Sequence, residues 1–141
     1  MERAMPDYTQ IFDGDCPITK PEFEAWHRQT VLEMVIETPN VTVGWAAKVL
    51  NFFLKTTVNV AGFGRPDLFK WIHPVIDKGL WEGIADAYKD RRDILEKTHY
   101  RQKVKDIVTY NDYQTIIEGL ELIAQERGYL PVDVEEFWKE K

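Results

Sequence analysis

A single cysteine, Cys16, stands among 141 residues, which excludes an internal disulfide framework and any zinc site built on several thiolates. Eight glycines and seven prolines are scattered through the chain, so neither a collagen-like repeat nor a low-complexity tract is present. Long apolar runs are missing too. The richest, 41–63, is interrupted by Lys48, Asn51, Lys55 and Asn59, a polar load that a bilayer span rarely carries at mid-depth. The opening Met1-Glu2-Arg3-Ala4-Met5-Pro6-Asp7 has no apolar core of a secretory leader. No stretch alternates apolar and polar residues with period two, which argues against strands. What remains is ordinary globular material, 44% hydrophobic and 30% charged, at a length that buries about 68–70% of its unfolded surface. These features predict one soluble, cytoplasmic domain with no membrane contact.

The formal charge is −6, which by itself disfavours a polyanionic partner. Its distribution is uneven. Residues 48–105 hold twelve Lys or Arg against seven Asp or Glu, a net of +5, and the rest of the chain nets −11. A basic face on an acidic body fits these counts, and so do helices with mixed solvated charges.

Helix signals recur along the chain. Residues 1–18 show no period and are expected to be an irregular lead-in to a single helical domain over 19–141. Thr19 and Glu22 form a capping box with Pro21 in the first turn, and Phe23, Trp26, Thr30, Val31, Met34 and Val35 then recur at helical spacing until Thr38-Pro39. Thr42 caps a second helix predicted over 43–59. It is apolar nearly all round, which places it at the centre of the fold, and its Lys48, Asn51, Lys55 and Asn59 form one narrow stripe. Gly62, Gly64 and Pro66 mark a loop before a short turn at 67–72, His73-Pro74 breaks it, and Asp77 caps a helix running to Tyr88. The charge-dense 89–106 reads as helical. Residues 111–127 form a helix stopped by Gly128, and Pro131 opens a last one. The fold class is therefore all-α, one domain of five to seven helices.

Few residues are arranged for chemistry. His27, His73 and His99 sit apart and lack metal-ligand spacing, and no metal or cofactor is expected. Asp13, Asp15 and Glu24 fall at calcium-loop positions, but Ile18 stands where that loop needs glycine. Gly62-Phe63-Gly64-Arg65 lacks the Gly-Lys-Ser/Thr end of a phosphate-binding loop. Two places remain: the polar stripe headed by Lys48, and Ile72-His73-Pro74-Val75-Ile76-Asp77, which delivers a carboxylate to a helix start. An outward-facing lysine and an ordinary N-cap account for each taken alone.

Taken in order, Gly44-Trp45-Ala46-Ala47-Lys48-Val49-Leu50-Asn51-Phe52-Phe53 and His73-Pro74-Val75-Ile76-Asp77 resemble the core of the helix-hairpin-helix DNA glycosylases. The likeness is greatest to bacterial proteins with an 8-oxoguanine glycosylase-like fold. Tyr110-Asn111-Asp112-Tyr113 and Leu130-Pro131-Val132-Asp133-Val134-Glu135 extend the resemblance over residues 40–138. It implies Lys48 as the catalytic amine, attacking the anomeric carbon of a flipped-out nucleotide, and Asp77 as the carboxylate that deprotonates it or steadies the developing cation. It implies enclosure of Lys48 among Trp45, Val49 and Phe52, with Asn51 and His73 as supporting partners. Phosphate contacts would come from Lys55, Arg65, Lys70, Arg91 and Arg92, giving weak, salt-dependent DNA binding. The alternative is a non-catalytic helical interaction protein on the same scaffold. Its protein partner would meet exposed aromatics, with Trp71, Trp81 and Trp138 the candidates.

Overall fold

The computed structural model describes residues 9–60, 62, 64–98 and 103–137. Seven α-helices run through them: α1 (Thr9–Phe12), α2 (Lys20–Glu37), α3 (Val43–Leu54), α4 (Leu68–Trp71), α5 (Lys78–Ala87), α6 (Arg92–Thr98) and α7 (Tyr110–Arg127). Among the described residues there is no strand. No helix there is long and apolar enough to cross a membrane.

The capping chemistry is built as the side chains dictate. Thr19 accepts from the Glu22 amide while the Glu22 carboxylate accepts from the Thr19 amide, both at 3.3 Å, so two otherwise orphaned donors are satisfied reciprocally. Thr42 caps α3 through the Trp45 amide and Asp77 caps α5 through the Leu80 amide at 2.9 Å. Thr109 caps α7 through the Asp112 amide, and Gly128 ends that helix in the left-handed region at φ 69°.

The core forms where α2, α3 and α7 meet. The inner face of α3, Val43, Ala46, Ala47, Leu50 and Leu54, is buried with Phe23 and Val31 of α2 and Tyr113, Ile116 and Leu120 of α7. α6 packs along α7, and a 3-10 turn at Val104–Asp106 packs on the start of α3. Gly44 is what permits that approach. Its amide donates to the Ile107 carbonyl at 2.8 Å, and a Cβ there would fall inside the van der Waals envelope of the Val104 carbonyl.

Five expectations need correction. The lead-in is not wholly irregular: it contains α1 and buries Ile11 and Ile18 completely or nearly so. The second helix does not run to 59 as α-helix but changes at Lys55 to a π turn (Lys55–Val60). There the Thr56 and Thr57 hydroxyls donate to the Phe52 and Phe53 carbonyls at 3.0 and 2.9 Å, competing with the α-helical ladder for its own acceptors. That helix is also not enclosed all round, since its outward side lies open. The charge-dense 89–106 splits into α6 and the 3-10 turn, with residues 99–102 outside the described ones. The final segment Pro131–Phe137 winds as 3-10 rather than α-helix, its first turn closed by the Asp133 amide on the Leu130 carbonyl at 2.9 Å.

Candidate functional site

Five polar side chains are sealed into the junction of α2, α3 and α7. His27 of α2 meets Tyr110 hydroxyl through Nδ1 and Asn51 Oδ1 through Nε2, each at 2.8 Å. Asn51 Nδ2 donates to the Tyr113 hydroxyl at 2.9 Å and to the Pro74 carbonyl at 3.3 Å. Tyr113 hydroxyl lies 2.7 Å from His73 Nδ1. The two imidazoles are in van der Waals contact, centroids 4.5 Å apart, and His27 stacks on Tyr113 at 9° between planes.

The hydrogens of this chain follow from one obligate acceptor. The Pro74 carbonyl can only accept, so the Asn51 amide nitrogen faces it and Oδ1 faces His27. His27 then carries its proton on Nε2, leaving Nδ1 to accept from Tyr110. Both Asn51 N–H groups are used by Pro74 and Tyr113, so the Tyr113 hydroxyl accepts from Asn51 and donates to His73 Nδ1. His73 is thereby held as the tautomer protonated on Nε2, the nitrogen on the side of its ring away from Tyr113. Among the described residues that Nε2–H has no acceptor.

Both histidines are neutral at pH 7. Burial lowers His27 to about 4, with the Asn51 hydrogen bond opposing. Burial also pushes His73 well below the usual range, helped by the adjoining His27 ring, beside which a second cation is disfavoured, and by the Lys20 charge. Burial raises the Tyr110 and Tyr113 hydroxyls, so both remain protonated donors.

His73, only 4% exposed, forms part of the wall of two clefts between α2 and α7. One, of about 250 Å³, is bounded by Glu24, Arg28, Tyr110, Gln114, Glu118 and Glu121 among others. The second, of about 240 Å³, shares Glu24, His73 and Glu121 and adds Lys20, Trp71 and Tyr129. Lys20 Nζ bonds Glu121 and lies 3.9 Å from Glu24. Burial raises the Glu24 carboxyl, and the Glu121 and Glu118 charges add to this against the opposing pull of Lys20. Among the described residues no group of three His, Cys, Asp or Glu has the arrangement to hold a metal ion.

The residues singled out from sequence are dispersed. Lys48 Nζ sits 5.0 Å from the ring centre of Trp45 on the outward side of α3, while an Asp77 oxygen is engaged by its own helix start. No hydrogen bond or ion pair joins the two. Neither lines the two clefts above nor a third one of about 600 Å³ beside Arg65 and Phe69. The enclosure expected around Lys48 is absent, because Trp45, Val49 and Phe52 are 44, 58 and 62% exposed. Asn51 and His73 come together, but around Tyr113 rather than around Lys48.

Four of the five expected phosphate ligands are engaged within the chain. Lys55 pairs with Glu135 at 3.0 Å, Lys70 with Asp67 at 3.3 Å, and Arg91 with Asp93 and Glu126. Arg65 is a tether, donating to the carbonyls of Gln10, Cys16 and Pro17 at 2.9–3.2 Å and to Glu22. Arg92 is exposed at the start of α6. His27 and the two tyrosines were overlooked as a group. The available signal was His27 itself, a polar residue one position past Trp26 on the core face of α2.

The exposed tryptophan is not one of those expected. Trp81 is buried, Trp71 donates its Nε1–H to the Ile18 carbonyl at 2.8 Å, and Trp138 lies outside the described residues. Trp45, Val49 and Phe52, at i, i+4 and i+7, line the open side of α3 instead, with Phe53 at its edge against Phe12. Comparison with protein-family models, curated proteins and solved structures finds no match to this chain.

Proposed function

We propose that this chain is a helical docking module that seats an acidic amphipathic helix of a partner protein along α3. The observation that carries the reading is the open side of α3, whose four exposed residues, Trp45, Val49, Phe52 and Phe53, are all apolar. A helix of a finished surface turns charged residues outward; one that turns a Trp and two Phe outward is shaped for a second helix read at i, i+4 and i+7. The sign of the partner follows from the cations beside it. Lys48 lies over Trp45 with no carboxylate partner among the described residues, and the turn packed on the start of α3 carries exposed Lys103 and Lys105 against one exposed acid, Asp106.

The test is selection of helical peptides from a library that varies both apolar spacing and net charge. Binders should carry an apolar row with Asp or Glu beside it. Trp45→Ala or Phe52→Asp should weaken them at least 30-fold, on the order of 2 kcal/mol for an aromatic anchor, with the thermal midpoint of the protein unchanged. Binders indifferent to both substitutions, or stronger capture of single-stranded DNA by the same face, would refute the reading.

One observation favours the glycosylase-like alternative: an unpaired lysine amine beside an exposed aromatic ring could meet a flipped base. In that chemistry the Lys48 nitrogen displaces the base from the anomeric carbon and forms a Schiff base with the opened sugar. Borohydride reduction should then trap a covalent adduct with DNA holding abasic or 8-oxoguanine sites, and Lys48→Ala should abolish it. Trapping that survives Lys48→Ala, or no trapping, removes this alternative.

A further inference from the structure

We infer that Phe12, set against Phe53, is a specificity-determining wall of the α3 docking face. The partner helix then carries its acidic residues along one flank of its apolar row, toward Lys48, and a second apolar row along the other, against the two phenylalanines. This rests on the docking reading and adds to it the flank pattern and the part that the N-terminal arm plays.

The two long edges of the face differ in kind. At about 100° per residue, Lys48 lies ~60° to one side of Trp45 and Phe53 about 80° to the other. Gly44, four positions before Lys48, shares the first edge, and the turn at Val104–Asp106 packs there, bringing exposed Lys103 and Lys105 with the one acid Asp106. On the second edge the Phe12 ring stands edge-on to Phe53, centroids 6.4 Å apart and planes at 87°. Phe12 is half-buried, and the residue after it, Asp13, is exposed. One edge is therefore basic, and the other is aromatic with a carboxylate next in sequence.

Phe12 is held in place before any partner arrives. Arg65 donates from its side chain to the Gln10 carbonyl and from its amide to the Ile11 carbonyl, both at 2.9 Å, and Ile11 is fully buried. A wall fixed in this way adds contact area without an ordering cost at the moment of binding. Its effect on a partner is selective. An acidic side chain laid against the two rings gives up hydration to apolar surface and approaches Asp13, whereas an apolar side chain there buries ring surface. The same acid placed toward Lys48 gains a cation. Discrimination thus comes from refusing acid on one side as well as attracting it on the other.

The experiment titrates the intact chain with two helical peptides of equal length and the same apolar row. One carries Glu on one flank and Leu on the other; the second carries Glu on both. The one-flank peptide should bind about tenfold tighter, although its rival has the greater negative charge. Asp13→Lys, at an exposed position, should narrow that ratio severalfold, and Phe12→Lys should reverse it, because each puts a cation where the wild type refuses acid. Trp45→Ala should weaken both peptides, which ties their binding to α3. Equal or tighter binding of the two-flank peptide to the wild type, with Trp45→Ala still weakening both, overturns the flank inference and leaves the docking reading standing. A ratio unmoved by Asp13→Lys and by Phe12→Lys in a folded protein overturns it too. Binding of neither peptide, or binding indifferent to Trp45→Ala, refutes the docking reading and this inference with it.

Discussion

His27 Nε2 and Asn51 Oδ1 meet at 2.8 Å with both side chains fully withdrawn from solvent. The contact joins α2 to α3, and through the other ends of the same two side chains it reaches Tyr110, Tyr113 and the Pro74 carbonyl. Everything polar in this junction depends on Asn51 keeping both its acceptor and its donors.

Asn51→Leu matches the volume closely and removes all three hydrogen bonds, leaving His27 Nε2–H and the Pro74 carbonyl buried without partners. At about 1–3 kcal/mol for each stranded group, unfolding in urea should show a loss of about 3–5 kcal/mol. Tyr113→Phe strands His73 Nδ1 and one Asn51 hydrogen, and by the same reckoning should cost about 2–5 kcal/mol. A leucine variant as stable as the wild type would mean that the network does not hold the helices.

Acid should destabilise the fold early. His27 titrates near 4 when folded against about 6.5 when unfolded, and His73 is depressed in the same direction. Between those values the unfolded chain binds protons that the folded one refuses, so the stabilisation is complete above pH 6.5 and is lost as pH falls toward 4. With both histidines depressed, stability should fall as pH drops through 5, by on the order of 1–3 kcal/mol per pH unit for the one to two protons that unfolding takes up. The raised Glu24 carboxyl works oppositely just above its ordinary 4.5 and trims this slope. Denaturation curves at half-unit pH steps measure it. Proton uptake on unfolding near zero at pH 5 would contradict the neutral, buried pair.

Gly44→Ala should destabilise although alanine favours helix by about 1 kcal/mol over glycine. The added Cβ would overlap the Val104 carbonyl and approach Ile107 Cβ to 2.8 Å. Overpacking of this kind costs about 1–3 kcal/mol, and thermal unfolding should report a lower midpoint. A raised midpoint would show that the 104–107 turn gives way freely.

Arg65→Lys separates tether from charge. A lysine keeps the positive charge yet cannot donate at once to three carbonyls and a carboxylate. Stability should fall by about 1–3 kcal/mol, as much as for Arg65→Ala within error. Full retention of stability by the lysine variant would assign Arg65 to electrostatics alone.

Local signals carried the framework. Thr19 with Glu22, Thr42, Asp77 and Gly128 are side-chain and backbone preferences that act within four residues, so they are readable without the rest of the molecule. The periodic rows of α2 and α7 are legible for the same reason. The π turn after Leu54 was not, because its cause lies in competition between Thr56, Thr57 and the ladder rather than in apolar spacing.

The candidate sites were legible only in fragments. His73, Asn51 and the Tyr110-to-Tyr113 pattern each stood out, but separations of 40 and 62 residues hide the meeting of His73 and Asn51 around the Tyr113 hydroxyl. The basic segment misled for the complementary reason: a count treats every cation as available, whereas Glu135, Asp67, Asp93 and Glu126 answer Lys55, Lys70 and Arg91 in the folded chain.

By itself the order of residues determined an all-helical chain, its caps and the inner rows of its longest helices, since these depend on neighbours three or four positions away. Tertiary structure alone decided that Trp45, Val49 and Phe52 stay open and that His27 and His73 share a sealed junction. An apolar residue is compatible with core and interface alike, and a histidine with solvent or burial. Only packing against distant segments chooses between them.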